Sequence, residues 1–396
     1  MALKIGVAGL RRGESHVRLY QEAIPETEVV AVCDSHAPRA RAVAAQHGVP
    51  RAYGAYAELL ADPDVDVVVL TTPCAYHAEQ TLQALDAGKH VHVELPLVAT
   101  TVDDCWRVVK AVERTGLKLQ MGNMMRWDPR NLAMRRWVED GTLGEVCYAE
   151  GEYMHDVTEL MRRPEDDGTA SWRNGFGKPT QLTIAAGGGL HAIDTVRWIV
   201  GEEFVEVAGF GNKKAAPERD VNDTEAVLFR TRGDAVVRVV VSKTVRRTHS
   251  SYFAVYGTAG STERDRHEAN GFDPGPDDVL YLTRAEEACG GHYPPMARVP
   301  VGFDEASAAA ARGVGHGALT YLQNRDFVEA ILEDRMPRLN VYEAARSCAA
   351  ALTALRAIQE GGTLRIPSIP DRSADFARFR TLHGGKNSRR VARAGS

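Results

Sequence analysis

The chain reads as an α/β protein in two parts: a doubly wound parallel sheet over residues 1–122, then an α/β domain built on a largely antiparallel sheet over residues 123–383. Two observations predict this. Short apolar runs alternate with helix-length amphipathic segments through the first part, the rhythm of βαβ units. After about residue 123 that rhythm gives way to strand-like runs separated by glycine turns, which suits an antiparallel sheet.

The strands of the first part are Leu3–Ala8, Val29–Cys33, the continuously apolar Val65–Leu70, His90–Val93 and Lys118–Met121. An unbroken apolar run marks a strand covered on both faces. Helices are predicted at Ser15–Ala23, Pro38–His47, Tyr56–Ala61, His77–Ala87 and Val102–Arg114. In the second part helices are predicted at Asn131–Asp140, Gly189–Val200, Gly317–Asp334 and Tyr342–Glu360. Strands are predicted at Val146–His155, Phe204–Gly211, Thr224–Thr231, Ala235–Thr244 and Ser251–Tyr256. A Gly-, Pro- and charge-rich loop fills Glu159–Pro179, and the small, basic residues 384–396 read as a flexible tail.

Composition narrows the function classes. With 396 residues, 44% hydrophobic and 26% charged, the chain has material for two cores. A net charge of −5 with interspersed signs argues against nucleic-acid or anionic-membrane partners. No window approaches the ~20 apolar residues of a membrane span, and the start reads as a strand rather than a signal peptide. The six scattered cysteines have neither zinc spacing nor a disulfide framework, so the expectation is a reduced, cytoplasmic protein without a metal.

Glycines open the first helix at Gly6, Gly9 and Gly13. A dinucleotide needs close backbone approach there, with helix N–H groups facing its pyrophosphate. The expected cofactor is therefore NAD on a Rossmann domain. Arg11 stands where the fingerprint has its middle glycine and Glu14 where it has the last. Arg11 or Arg12 could pair with a phosphate; Arg11 could equally fill the cofactor's space, and a tight turn without ligand is the alternative. Asp34 closes the second strand about 20 residues on, where a carboxylate binds ribose hydroxyls. It favours NAD, whereas Arg39 and Arg41 keep NADP open; an N-cap role is the competing reading. Thr71, Thr72, Pro73 and His77 follow the third strand at the carboxyl edge of the sheet, where ligands collect; His77 is as well read as a cap or packing residue.

These segments in order resemble the Gfo/Idh/MocA oxidoreductases. The resemblance rests on the glycine turn, on Thr72-Pro73 followed by His77, and on Gly88-Lys89-His90-Val91-x-x-Glu94-x-Pro96. It continues in Gly122-Asn123-x-x-Arg126, in Gly188-Gly189-x-His191-x-x-Asp194 followed by Arg197-Trp198 and Gly201, and in Gly257-Thr258-x-Gly260-Ser261. It implies that Thr72 and Pro73 line ribose and nicotinamide, that Glu94 and Asn123 belong to the cofactor side, and that Arg126 and position 95 face substrate. It also implies a homodimer or homotetramer formed through the exposed sheet face.

Three departures matter: Arg11 in the glycine turn, Leu95 where the family has the lysine of Glu-Lys-Pro, and Gly187 where it has an aspartate four residues before His191. The lysine there assists proton transfer between nicotinamide and substrate. His191 is accordingly assigned the acid–base role, with Asp194, three residues on, orienting its ring. Tyr153 and His155 alternate onto one strand face as further acid–base candidates, and Trp172-Arg173 reads as a sugar platform. The function implied is NAD-dependent oxidation or reduction at a hydroxyl or keto carbon of a sugar, glycoside or cyclitol. A redox-neutral NAD-dependent epimerase or lyase, or a catalytically degenerate binding paralogue, are the alternatives.

Overall fold

The computed structural model describes residues 2–157, 184, 188–214, 222–266, 278–284, 294–303, 305, 309 and 317–370. Trp172, Arg173, the Glu159–Pro179 loop, Gly187 and the 384–396 tail lie outside these residues. The chain forms two compact units that divide first between Gly122 and Asn123. The division is interleaved: the described residues 317–346 group with the first unit and 347–368 with the second, where the sequence reading assigned 123–383 to one domain.

The first unit carries a six-stranded sheet in the order β3-β2-β1-β4-β5-β6. Its strands are β1 Leu3–Ala8, β2 Thr27–Cys33, β3 Arg51–Tyr53, β4 Val67–Leu70, β5 His90–Glu94 and β6 Leu119–Gly122. Every pairing is parallel. Helices α1 Leu10–Glu22, α2 Ala37–His47, α3 Tyr56–Ala61, α4 His77–Asp86 and α5 Val102–Thr115 connect them. The order reverses between β1 and β4, so β1's connection and β4's connection leave the carboxyl edge in opposite directions and open a crevice there.

Helix α1 begins at Leu10, five residues before the sequence predicted, because Gly9 takes φ 87 and turns the chain straight from β1 into the helix. A side chain at Gly9 would place Cβ 2.8 Å from the Thr71 carbonyl and the Thr72 nitrogen. Gly6, expected at the cofactor, instead packs inside β1, where an added Cβ would stand 2.9 Å from Leu59. Helix α8 (Ala318–Leu332) explains why the chain returns to this unit: Tyr321, Phe327 and Val328 share one apolar cluster with Ile5, Val7, Val17 and Val67.

The second unit is built on a nine-stranded sheet in the order β14-β13-β12-β11-β7-β10-β9-β8-β15. The strands are β7 Val146–Met154, β8 Phe204–Asn212, β9 Thr224–Thr231, β10 Val236–Ser242, β11 Ser250–Gly257, β12 Gly260–Arg264, β13 Val279–Arg284, β14 Ala297–Pro300 and β15 Leu364–Arg365. One pairing, β7 with β10, is parallel, and the others are antiparallel. Helices α6 Pro129–Glu139, α7 Gly189–Val200 and the later part of α9 (Val341–Glu360) belong to this unit. Gly151 of β7 lets α7 approach closely, since a Cβ there would meet the Ala192 carbonyl at 3.3 Å. No described helix is long and apolar enough to cross a membrane.

Two histidines on β5 shape the acid response of the first unit. Burial, and then Lys118, lowers His90 to about 4. Burial, and then His16, lowers His92 to about 3. An unfolded histidine titrates near ~6.5, so below that pH the unfolded chain takes up protons that the folded chain refuses. Stability is therefore expected to be flat above ~6.5 and to decline steadily towards pH ~4. Urea midpoints measured across that range check this, and a flat profile would contradict it.

Candidate functional site

In the first unit the residues around the crevice hold one another in place. The Asp34 carboxylate accepts from the backbone N–H of Leu10 at 2.8 Å and of His36 at 2.9 Å, with the Arg39 guanidinium at 3.4 Å. It thus sits against the N-terminus of α1, the position from which a strand-end carboxylate addresses a ribose. Thr71 donates to the carbonyls of Ala8 and Gly9, and Thr72 donates to Gln80. Thr71, Thr72 and Pro73 are half-buried at the end of β4. Gly13 faces the same threonine: an added Cβ would lie 2.6 Å from Thr71 Oγ1. These residues fit a dinucleotide, whose pyrophosphate would meet the N–H groups of α1 beyond Leu10 and whose ribose would meet Asp34.

Other residues expected at the cofactor also have partners within the protein. Both ring nitrogens of His77 lie 2.7 Å from carbonyl oxygens, of Pro96 and Thr72. The ring is buried and ties β4's loop to the Leu95-Pro96 turn, so it packs rather than reacts. Burial lowers its pKa, against the pull of those two carbonyls. Glu94 accepts from His16 Nε2 at 2.7 Å, and the Arg12 guanidinium lies 3.5 Å away and also donates to Thr320. Burial raises the Glu94 pKa, but Arg12 and His16 outweigh it and hold the carboxyl well below its ordinary value. Arg12 therefore neutralises Glu94, where the sequence suggested a phosphate partner. Arg11 and Leu95 are half-buried.

The second unit gathers a cluster of proton-carrying side chains at one edge of its sheet. Because β7 and β10 run parallel, their carboxyl ends meet: Val241 pairs with Tyr153 and Ser242 with Met154. Strand β11 enters from the same edge, with Ser250 opposite Met154. Tyr153 and His155 at the end of β7, Lys243 just past β10 and His249 just before β11 are thus brought together, and the first turn of α7 adds His191. The Tyr153 and His191 rings stack at 5.5 Å with 6° between planes. His249 lies 4.5 Å from His155 and 5.2 Å from Tyr153, between ring centroids. Lys243 Nζ stands 4.2 Å over the Tyr153 ring. Gly188 caps α7 at φ 115, and a Cβ there would lie 2.5 Å from both Lys243 Nζ and Tyr153 Cε1. Burial, then His155, Lys243 and His191, push His249 down to about 3. Among the described residues no three His, Cys, Asp or Glu side chains are grouped to hold a metal ion.

Asp194 reaches His191 at one remove. The fully buried carboxylate accepts from Arg126 Nε at 2.9 Å, Arg126 Nη2 at 2.6 Å, Asn123 Nδ2 at 2.7 Å and Ser347 Oγ at 2.6 Å. A carboxylate accepts only, so Asn123 must present its amino group to Asp194. That leaves Asn123 Oδ1, 2.8 Å from His191 Nδ1, as an acceptor, and Nδ1 must carry the proton. In the neutral ring His191 Nε2 then holds the lone pair. Asn123, expected on the cofactor side, here joins Asp194 to His191, and Arg126, expected to face substrate, is fully buried as the counter-ion of Asp194. Burial raises Asp194's pKa, but Arg126, Arg197 and Ser347 prevail and hold it below the ordinary carboxyl value.

Lys243 and His249 were not singled out from the sequence. The missing signal was the parallel pairing of β7 with β10, which local patterning does not encode.

The chain belongs to the Gfo/Idh/MocA family. Residues 3–123 match the family model described as an oxidoreductase family, NAD-binding Rossmann fold, and residues 131–263 match the model of the Gfo/Idh/MocA C-terminal domain. Inositol 2-dehydrogenase 3 of Saccharopolyspora erythraea is 31% identical over 264 residues, 66% of this chain and 72% of that protein. Inositol 2-dehydrogenase of Salmonella paratyphi B is 27% identical over 66% of this chain and 74% of its own length. Levoglucosan dehydrogenase in complex with NADH and levoglucosan has the same fold, with a TM-score of 0.76 at 20% identity over 93% of this chain and all of that one.

Asp194→Asn should cost ~3–5 kcal/mol of stability, because it strands the buried Arg126 charge. Urea unfolding measures this, and a loss below ~1 kcal/mol, the worth of a surface pair, would show that the network does not hold the unit. Gly9→Ala should lower the melting temperature and weaken NAD-induced thermal stabilisation together, since the new methyl meets backbone rather than a movable side chain.

Proposed function

We propose that the protein is an NAD-dependent dehydrogenase acting on a secondary hydroxyl of a sugar, glycoside or cyclitol, with His191 as its acid–base residue. The observation that carries this reading is the Asp194–Asn123–His191 chain, which leaves His191 Nε2 as a proton acceptor beside Tyr153. The relatives named as inositol 2-dehydrogenases and the levoglucosan dehydrogenase support the substrate class.

The residues that would hold NAD are the N-terminus of α1 with Gly9 and Gly13, Asp34, and Thr71 to Pro73. Asp34 at the end of β2 disfavours a 2′-phosphate, hence NAD rather than NADP. Bound NAD supplies the hydride acceptor. The chain's own residues do the remaining work. His191 Nε2 takes the hydroxyl proton, the Nδ1–H bond to Asn123 steadies the ring as it gains charge, and the buried Asp194 anion behind the amide favours that charge electrostatically. Leu95 cannot exchange a proton.

Purified protein with NAD and a panel of inositols, anhydrosugars and hexoses should generate NADH with at least one member. His191→Ala should lower kcat ~10²–10⁴-fold, the usual worth of a positioned acid–base group, with NAD affinity unchanged. Product without net NADH would move the assignment to a redox-neutral epimerase or lyase. Failure to bind NAD at all would support a degenerate binding protein.

A further inference from the structure

The second unit holds a cationic side chain that the acid–base reading leaves unused. Lys243 is the first residue beyond β10, and its backbone is fixed on both sides: its N–H donates to the Asp223 carbonyl at 3.1 Å and its carbonyl accepts from Val157 at 2.9 Å. The side chain is 7% exposed and crosses the Tyr153 ring. Its amino group also reaches the N-cap of α7, where only a glycine leaves room for it. His191 lies in the first turn of that helix and stacks on the same Tyr153 ring. Lys243 and His191 therefore meet on one phenol, one from a strand end and the other from a helix start.

The surroundings favour an oxygen that gains negative charge. The side chains set against Tyr153 include the imidazoles of His155, His191 and His249 and the amino group of Lys243, and the N-terminus of α7 adds its partial positive charge. Beyond the effect of burial, His155, Lys243 and His191 each push His249 further down. Preorganised positive groups of this kind stabilise an alkoxide in the transition state more than the neutral hydroxyl in the ground state.

We propose that Lys243 is a catalytic residue that donates a hydrogen bond to the substrate oxygen whose proton His191 receives. The inference rests on the dehydrogenase reading. In the oxidation the carbon's C–H bond breaks with its electron pair, which leaves as hydride to NAD. The O–H bond breaks heterolytically, and its proton passes to His191 Nε2. The oxygen keeps that electron pair, forms the carbonyl with the carbon, and is held by Lys243 Nζ–H throughout.

The test is steady-state kinetics of the NAD-loaded full chain carrying Lys243→Met or Lys243→Gln, alongside the wild type. The expected result is a ~10²–10³-fold fall in kcat, the usual cost of removing one oxyanion donor, with NAD affinity unchanged. A Lys243→Ala variant should recover part of its rate on addition of methylamine, which a purely structural lysine would not show. Rates within twofold of wild type in whichever of the Met and Gln variants folds overturn the proposal. So does Lys243→Ala that loses rate without any amine rescue.

If the wild type oxidises nothing in the panel, the dehydrogenase reading fails first. Lys243 is then judged by ligand-observed NMR of inositols and levoglucosan with NADH-loaded protein. Binding weakened at least tenfold in Lys243→Met supports a role on the polyol oxygen. Equal binding, or none in either protein, removes it.

Discussion

The second unit is organised around one buried carboxylate. Asp194 is taken wholly out of water, a desolvation that costs several kcal/mol unless it is fully compensated. Compensation here is complete: a two-pronged guanidinium from Arg126, an amide N–H from Asn123 and a hydroxyl from Ser347. The donors come from two distant parts of the chain: Asn123 and Arg126 from the turn before α6, and Ser347 from α9. The same anion that joins these segments also fixes which way Asn123 faces. A structural ion pair thereby dictates which ring nitrogen of a half-buried imidazole, two bonds of the network away, carries the proton, and an amide can relay that instruction because its two ends are chemically distinct.

The site's other requirement is topological. Side chains alternate along a strand, so one strand end delivers at most two residues to a given edge. Tyr153 and His155 exhaust what β7 can give. The parallel neighbour β10 and the antiparallel neighbour β11 supply Lys243 and His249 to the same edge, because a carboxyl end and an amino end coincide there. Gly188 then admits the helix close enough for His191 to stack on Tyr153. Five proton-carrying groups from four elements follow from one strand order.

Much of this architecture is legible in the sequence, for identifiable reasons. Leu3–Ala8, Tyr56–Ala61, Gly189–Val200 and Thr224–Thr231 form over the predicted residues, since each is bounded by glycine, a β-turn or a change of apolar period. Helix α1 starts earlier than its apolar pattern because Gly9's positive φ, not hydrophobic spacing, sets the start. Strands β3, β12, β13, β14 and β15 escape reading; they are short or lie in polar surroundings, and pairing rather than pattern creates them. His191 and Tyr153 are recognisable as candidates. The burial of Arg126, the linking role of Asn123 and the presence of Lys243 are set by contacts far apart in sequence, which no local window contains.

The two units differ in how their histidines are placed. In the first, His16 gives its Nε2 proton to Glu94 and accepts from Asn324 at 3.2 Å, while His92 contacts the Tyr20 hydroxyl at 2.9 Å and Gln323 at 3.2 Å. His77 bridges two carbonyls. All three rings are buried with both nitrogens engaged, and Glu94 is held as an anion by His16 and Arg12. Protons there are locked into packing between β5, α1 and α8, so this unit offers a rigid cradle of backbone N–H groups and one strand-end carboxylate. In the second unit the imidazoles stand half-buried at a sheet edge, and one of them has its tautomer assigned from behind. Proton transfer demands a group that can change its charge without breaking the fold, a condition that the buried rings of the first unit, each bridging two partners, do not meet.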